Sequence, residues 1–127
     1  MAFVDLVRAL HALGEQLADV APRGVPAALD DAVPGLPASD ADRGLLRFVL
    51  QLALAPRTMD QSCVTALEAV GYDARGVHDV VHVVACFSYM NRLADGVGVT
   101  LLEGRRALAT ELFGADAVAA HERWGSR

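Results

Sequence analysis

Two histidines and a cysteine follow one another at helical spacing in the second half of the chain. His78 and His82 are four residues apart, so on a helix their side chains share one face, and Cys86 follows one turn later. Two imidazoles at this spacing can act as an acid and a base, or bind a metal ion. A histidine beside a thiol can favour the nucleophilic thiolate. We therefore predict that His78, His82 and Cys86 are catalytic residues, together with Tyr89, which would lie on the His82 face.

The same predicted helix ends in a polar stripe that could line a substrate pocket. Its members are Ser88, Asn91, Arg92 and Asp95, and Arg92 and Asp95 are three residues apart, so they can form an ion pair. Buried polar groups must find partners, so the stripe either ties helices together or lines a pocket. We predict that these four residues bind a small-molecule substrate.

Each of these residues also has a purely structural interpretation, and both interpretations stay open. The two histidines can lie at the boundary of a packed helix, and because no third ligand is evident we predict no metal site. Cys86 can be a small buried residue between Val83 and Met90, and Cys63 is similar. The polar stripe can serve only to hold helices together.

Helices are the elements that must position these residues. Apolar side chains recur at helical spacing over most of the chain, and the β-branched run at 80–84 falls inside a helix that Asp73 would cap. Ser39 and Thr58 are the other predicted N-caps, and Gly71 is placed to follow a helix end. The predicted helices span residues 3–20, 26–32, 39–55, 58–70, 74–95, 101–113 and 116–124.

The predicted helix at 39–55 should lie at the centre of the fold. Its apolar residues cover almost the whole circumference, which is typical of a helix that is buried on all sides. A chain of 127 residues can bury a real core without disulfides or metals, so we expect one all-α domain over residues 1–127. The apolar residues of the central helix are Leu45, Leu46, Phe48, Val49, Leu50, Leu52 and Leu54.

Composition and charge exclude several classes of partner. The formal net charge is -5 and no cluster of basic residues occurs, so we expect neither a nucleic-acid partner nor binding to a membrane surface. No uncharged stretch is long enough to span a bilayer, and the N-terminal segment does not read as a secretory signal. Cys63 and Cys86 do not form a Cys-x-x-Cys pair. We therefore expect a cytoplasmic protein with free thiols and no cofactor.

Residues 39–102 resemble the second half of the alkylhydroperoxidase D-like superfamily, which also includes the carboxymuconolactone decarboxylases. The similarity is to its peroxidase-related branch. The strongest part is the pattern Asn-Arg-x-Ala-Asp-Gly-x-Gly-Val, which begins at Asn91. The matching runs are LLRFVLQL at 45–52, ALEAVGY at 66–72 and VVACFSYMNRLADGVGV at 83–99.

This resemblance implies an antiparallel helical bundle that assembles as a homo-oligomer, from dimer to hexamer. It divides the domain into an N-terminal helix and connection (1–38), a family-like core (39–102) and C-terminal helices (103–127). Redox members carry a Cys-x-x-Cys pair at a helix N-terminus, with a His and a Glu nearby. Here Pro56-Arg57-Thr58-Met59 lies where that pair would fall, and Cys63 falls near the family's His region. A dithiol peroxidase mechanism is therefore not expected.

Three functional hypotheses follow. The first is a divergent member of this superfamily that performs non-redox acid/base chemistry on a small molecule with His78, His82, Tyr89 and Arg92. The second is a peroxidase-like oxidoreductase that uses one cysteine, Cys86 or Cys63. The third is a non-catalytic oligomeric accessory protein. Trp124, with Val118 beside it at helical spacing, would be an anchor for packing or for a subunit interface.

Overall fold

Most of the described part of the chain is helical. A computed structural model describes residues 3–98, 103–116 and 118–119 of the protein. These residues form no strand, so the predicted all-α class is confirmed. The described ranges include the α-helices α1 (Phe3–Leu17), α2 (Val25–Ala32), α3 (Asp40–Leu54), α4 (Gln61–Ala69), α5 (Ala74–Val97) and α6 (Glu103–Phe113). Residues 115–116 and 118–119 are also helical.

Two of the predicted N-caps are confirmed. The Ser39 hydroxyl accepts a hydrogen bond from the backbone N–H of Asp42 at 3.1 Å, and α3 begins at the next residue. The Asp73 carboxylate accepts one from the N–H of Gly76 at 2.8 Å, and this fixes the start of α5. Helix α5 ends two residues later than predicted, because Gly98 is the first residue to adopt the left-handed conformation, with φ of 69°.

The predicted cap at Thr58 is wrong. Residues Pro56–Thr58 form a 3-10 turn, in which the N–H of Thr58 donates to the carbonyl of Ala55 at 2.9 Å. The cap of α4 is Asp60, whose Oδ1 accepts from the N–H of Ser62 at 2.8 Å. Aspartate is a stronger N-cap than threonine, so Asp60 caps the helix, which starts at Gln61.

The first helix ends earlier than the sequence predicts. Helix α1 ends at Leu17, three residues early, because residues 18–20 turn with i to i+3 hydrogen bonds. The predicted starts and ends at Leu101 and Trp124 lie outside the described residues. Val118 is buried, as its predicted packing role requires.

Helix α3 lies between two hydrophobic clusters, so its predicted central position is confirmed. On one side Leu46 and Leu50 pack against a cluster from α1, α2 and the following turn. On the other side Phe48 packs against Leu67 of α4 and Val77 of α5. The buried members of the first cluster are Leu13, Leu17, Val25, Leu29, Val33, Leu36 and Ala55.

Helix α6 packs against the first helix of the chain. Helix α6 contacts α1, where the rings of His11 and Phe113 stack with centroids 4.9 Å apart. Helix α5 packs against α3 and α4 instead. None of the described helices combines the length and the apolar character needed to cross a bilayer.

Truncation of Leu67 tests the second hydrophobic cluster. Leu67 is 1% exposed, so Leu67→Ala should lower the free energy of unfolding by about 2–5 kcal/mol through lost burial and a residual cavity. Leu108→Ala on α6 is the control, because Leu108 is 56% exposed, and should change stability by less than about 1 kcal/mol. Urea unfolding followed by circular dichroism measures both. Equal losses in the two variants would contradict the packing described here.

Candidate functional site

The two predicted histidines contact each other on the exposed side of α5. Nε2 of His82 lies 3.1 Å from Nε2 of His78, so one imidazole donates a hydrogen bond and the other accepts it. The ring centroids are 4.3 Å apart, and Nδ1 of His78 lies 3.9 Å from a carboxylate oxygen of Asp79. Such a pair can pass a proton from one ring to the other. Among the described residues, no group of three or more His, Cys, Asp and Glu side chains is placed to hold a metal ion.

The other predicted catalytic residues are exposed on the same helix. Cys86 is exposed, which contradicts the interpretation of this residue as a small buried one within the single chain. Tyr89 is 65% exposed, and its ring stands away from the two hydrophobic clusters. These side chains therefore share a helix with the histidine pair, but the described part of one chain does not enclose them.

The predicted substrate-binding stripe is also open to solvent. Ser88 is half-buried, whereas Asn91, Arg92 and Asp95 are exposed. Arg92 donates to the backbone carbonyl of Ser88 at 3.0 Å, one turn earlier on the same helix. The ion pair between Arg92 and Asp95 that the sequence suggested is not formed between these two described residues. The Arg92 guanidinium binds the carbonyl of Ser88 instead. The stripe stays a predicted binding surface, and a further part of the protein or a second copy would have to cover it to form a pocket.

One face of α5 is apolar and is not covered by the part of the chain that the structure describes. Val77 and Val84 are buried against the rest of the chain. On the opposite side, five residues recur with spacings of three and four, which is the pattern of a coiled-coil seam. We call this set the α5 seam, and it extends for about 21 Å along the helix. Its members are Val83, Cys86, Met90, Leu93 and Val97.

The α5 seam is exposed to a degree that is unusual for apolar side chains. Val83 is 56% exposed, Met90 51%, Leu93 47% and Val97 68%, and Phe87 beside them is 65% exposed. Contiguous apolar patches of this kind mark interaction surfaces in soluble proteins. The sequence analysis did not single out this face of α5, although the three-four spacing of its residues is visible in the sequence.

A second polar cluster, which sequence reasoning missed, lies between α3 and the turn before α4. Gln51 is 3% exposed, and its Nε2 donates to the carbonyl and to Oγ1 of Thr58, both at 3.1 Å. Its Oε1 accepts from Arg47 at 2.7 Å, and Arg47 also donates to Asp30 of α2 at 2.8 Å. The signal in the sequence was a single glutamine in an otherwise apolar helix segment. The cluster fixes the turn onto α3, because each buried polar group of Gln51 has a partner.

Cys63 lies beside this cluster, in the first turn of α4. Its Sγ is 3.7 Å from Oδ1 of Asp60, and the residue is half-buried. Reactive thiols are usually stabilised as thiolates by cationic neighbours, whereas the neighbour here is a carboxylate. The geometry therefore gives little support to Cys63 as a peroxidatic thiol.

Asp60 supplies a pH-dependent contribution to stability that can be measured. The hydroxyl and the backbone N–H of Ser62 donate to its carboxylate, followed by weaker contacts from Cys63, and together they hold the pKa of Asp60 below its ordinary value of 3.8. A folded pKa below the unfolded one stabilises the fold above pH 3.8, and the contribution disappears as the pH falls through the folded pKa. Asp60→Asn should therefore weaken the loss of stability on acidification below about pH 4.

Thermal unfolding between pH 2 and 7 checks this expectation. Asn also caps helices, so the variant should keep α4. Asp31→Asn on the exposed side of α2 is the control, and it should follow the unmodified protein. An identical acid profile for Asp60→Asn and the unmodified protein would contradict the role of the cap.

No protein-family model, no curated protein and no solved structure matches this chain.

Proposed function

We propose that this chain is a subunit of a homo-oligomer that assembles through the α5 seam. We further propose that it is a divergent protein of the alkylhydroperoxidase D-like type, in the peroxidase-related branch, without the redox Cys-x-x-Cys centre. The observation that carries the assembly is the uncovered apolar face of α5. The sequence runs at 45–52, 66–72 and 83–99 support the family, and the two free thiols agree with a cytoplasmic location.

The energy available at the α5 seam favours association. Burying an apolar side chain of this size contributes about 1.5–3 kcal/mol, and the large seam residues are about half exposed. Covering the seam and Phe87 would therefore contribute roughly 5 kcal/mol per chain, or roughly 10 kcal/mol for a pair. Association itself costs about 4–15 kcal/mol, so the seam supplies much of what a stable pair needs.

A second copy of this chain is the occupant that the α5 seam fits. The three-four spacing is self-complementary, and the seam carries no charged residue, so pairing through it would bury no charge. Val83 and Val97 lie seven residues on either side of Met90. In an antiparallel pair centred on Met90, each Val83 would meet Val97 of the second copy, which is the isologous contact of a two-fold dimer.

The antiparallel arrangement also avoids a clash between the parts of the two chains that pack against α5. The rest of each chain packs against the first half of α5, through Val77 and Val84. Antiparallel pairing places the two bodies at opposite ends of the seam. It also separates the two Cys86 residues by about 12 Å along the helix axis, which is too far for a disulfide.

A charged residue at the centre of the seam should break the assembly. Met90→Asp should convert the oligomer into a monomer, or raise the dissociation constant at least about tenfold, because the partner would bury an unpaired charge. Met90 is 51% exposed in the single chain, so the helical circular dichroism should not change. Sedimentation velocity over a range of protein concentrations gives the oligomeric state.

Leu108→Asp is the matched control, since Leu108 is also an exposed leucine-sized residue but lies on α6. It should leave the oligomer intact. A monomeric unmodified protein, or equal dissociation of both variants, would refute assembly through the α5 seam. Rapid Cys86–Cys86 cross-linking under mild oxidation would exclude the antiparallel arrangement while leaving the seam as the interface.

The histidine pair supports a second candidate function, which is acid/base chemistry on a small carbon acid. Its support is the 3.1 Å contact between the Nε2 atoms of His78 and His82, on the helix that also carries Tyr89 and Arg92. A general acid or base held in this way typically accelerates proton transfer by about 10²–10⁴-fold. Assembly would supply the wall that the exposed stripe lacks.

Substitution of His82 tests the acid/base hypothesis separately from assembly. His82→Gln should slow solvent-deuterium exchange at the α-carbon of the carbon acid that the protein turns over, by about 100-fold or more. Proton NMR of a panel of small keto acids and lactones follows the exchange. His11→Gln is the control, because His11 stacks on Phe113, away from α5. Unchanged exchange in His82→Gln would remove His82 from the mechanism, whatever the oligomeric state.

A further inference from the structure

We propose that a cleft at the carboxyl end of α3 binds a small organic anion with an apolar body. The cleft has a volume of about 720 Å³, within the range of ligand sites. It lies between two 3-10 turns, Pro22–Gly24 and Pro56–Thr58, and none of its lining residues belongs to α5. The lining residues are Ala21, Pro22, Arg23, Leu54, Ala55, Pro56, Arg57 and Thr58.

The two walls of the cleft have the same sequence and the same local structure. Ala-Pro-Arg occurs at 21–23 and again at 55–57, and in both places the proline opens a 3-10 turn. Each turn is closed by a backbone hydrogen bond, from Gly24 to Ala21 at 2.7 Å and from Thr58 to Ala55 at 2.9 Å. Because proline fixes its own φ, each turn holds its arginine at a defined position on the cleft wall.

The second turn is anchored to the core of the protein. Ala55 is fully buried, and the amide of Gln51 donates to the carbonyl and hydroxyl of Thr58. The hydroxyl of Thr58 in turn donates to the carbonyl of Ala55 at 2.7 Å. A wall that is fixed in this way loses little conformational entropy when a ligand binds.

The two arginines of the cleft have no carboxylate partner among the residues that the structure describes. Arg43 and Arg47 form ion pairs with aspartates, whereas exposed arginines such as Arg75 form none with a described carboxylate. Arg23 and Arg57 differ from Arg75 because they line one cleft together. No described carboxylate lies within ion-pair distance of Arg23 or Arg57. In a chain with a net charge of -5, two unpaired guanidinium groups on one cleft form a local positive site. Guanidinium groups present paired N–H donors that match the oxygens of a carboxylate or a phosphate.

Part of the cleft lining is apolar, so we expect the ligand to have an apolar body besides its anionic group. Leu54 is 44% exposed there, at the end of a helix whose other leucines pack into the two clusters. Pro22 and Pro56 add two more apolar surfaces. A ligand with an anionic end for the arginines and an alkyl or aryl body for this floor would satisfy both features.

A set of matched probes tests this site. 4-Phenylbutyrate carries a carboxylate, phenyl phosphate a phosphate, and 4-phenyl-1-butanol the apolar body without charge. Titration of the ¹⁵N-labelled full chain should shift the amide signals of Arg23, Gly24, Leu54, Arg57 and Thr58 with one or both anions. The neutral alcohol should bind at least about tenfold more weakly, and the stronger anion identifies the preferred head group.

Substitution of the arginines should act on the anions alone. Arg23→Gln and Arg57→Gln should each weaken anion binding by roughly tenfold and leave binding of the alcohol unchanged. Arg75→Gln in the first turn of α5 is the control, because Arg75 is an exposed arginine outside the cleft. All three side chains are exposed, so the fold should persist in each variant. Equal binding of the alcohol, shifts confined to α5, an equal loss in Arg75→Gln or no shift at all would each overturn the proposal.

Discussion

Helix α3 can exist in water only if it is covered on two sides at once. Its apolar residues point in almost every direction, so no single neighbouring helix can remove them from solvent. The protein meets this requirement by placing α1 and α2 on one side and α4 and α5 on the other. The buried polar side chain of α3 is the amide of Gln51, and both its Nε2 and its Oε1 have hydrogen-bond partners. The cleft lies at the end of this helix, and the α5 seam lies on a helix that packs against it.

The arrangement explains why the two sites differ in character. The cleft lies where α3 ends, and there the chain must turn sharply, so prolines and a capping hydrogen bond fix its walls. The α5 seam lies one layer away from α3, on the side of α5 that faces outward. Rigid backbone with unpaired charge suits a small ligand, whereas a straight, uncharged helix face suits another helix.

Much of the fold could be predicted from the sequence, because local signals agreed with the tertiary structure. Ser39 and Asp73 cap the helices they were expected to cap, and the circumference of α3 indicated its central position. The prediction of Thr58 as an N-cap was wrong because Asp60, two residues later, is a second capping candidate. The 3-10 turn at Pro56–Thr58 places Thr58 before the helix, and this turn is evident only in the structure. The candidate site was predicted less well: the sequence placed the histidines together on α5, but periodicity cannot say which face of an apolar helix the rest of the chain will cover.

The stacking of α6 on α1 has a consequence for how the protein opens. The contact between His11 and Phe113 joins segments about 100 residues apart, so forming it closes a long loop. The packing of α2, α3, α4 and α5 needs only short connections. Helix α1 is also held by Leu13 and Leu17, which are buried in the first hydrophobic cluster, whereas α6 has no buried residue among those described. Under mild denaturation we therefore expect α6 to detach first, ahead of α1 and the α3 core.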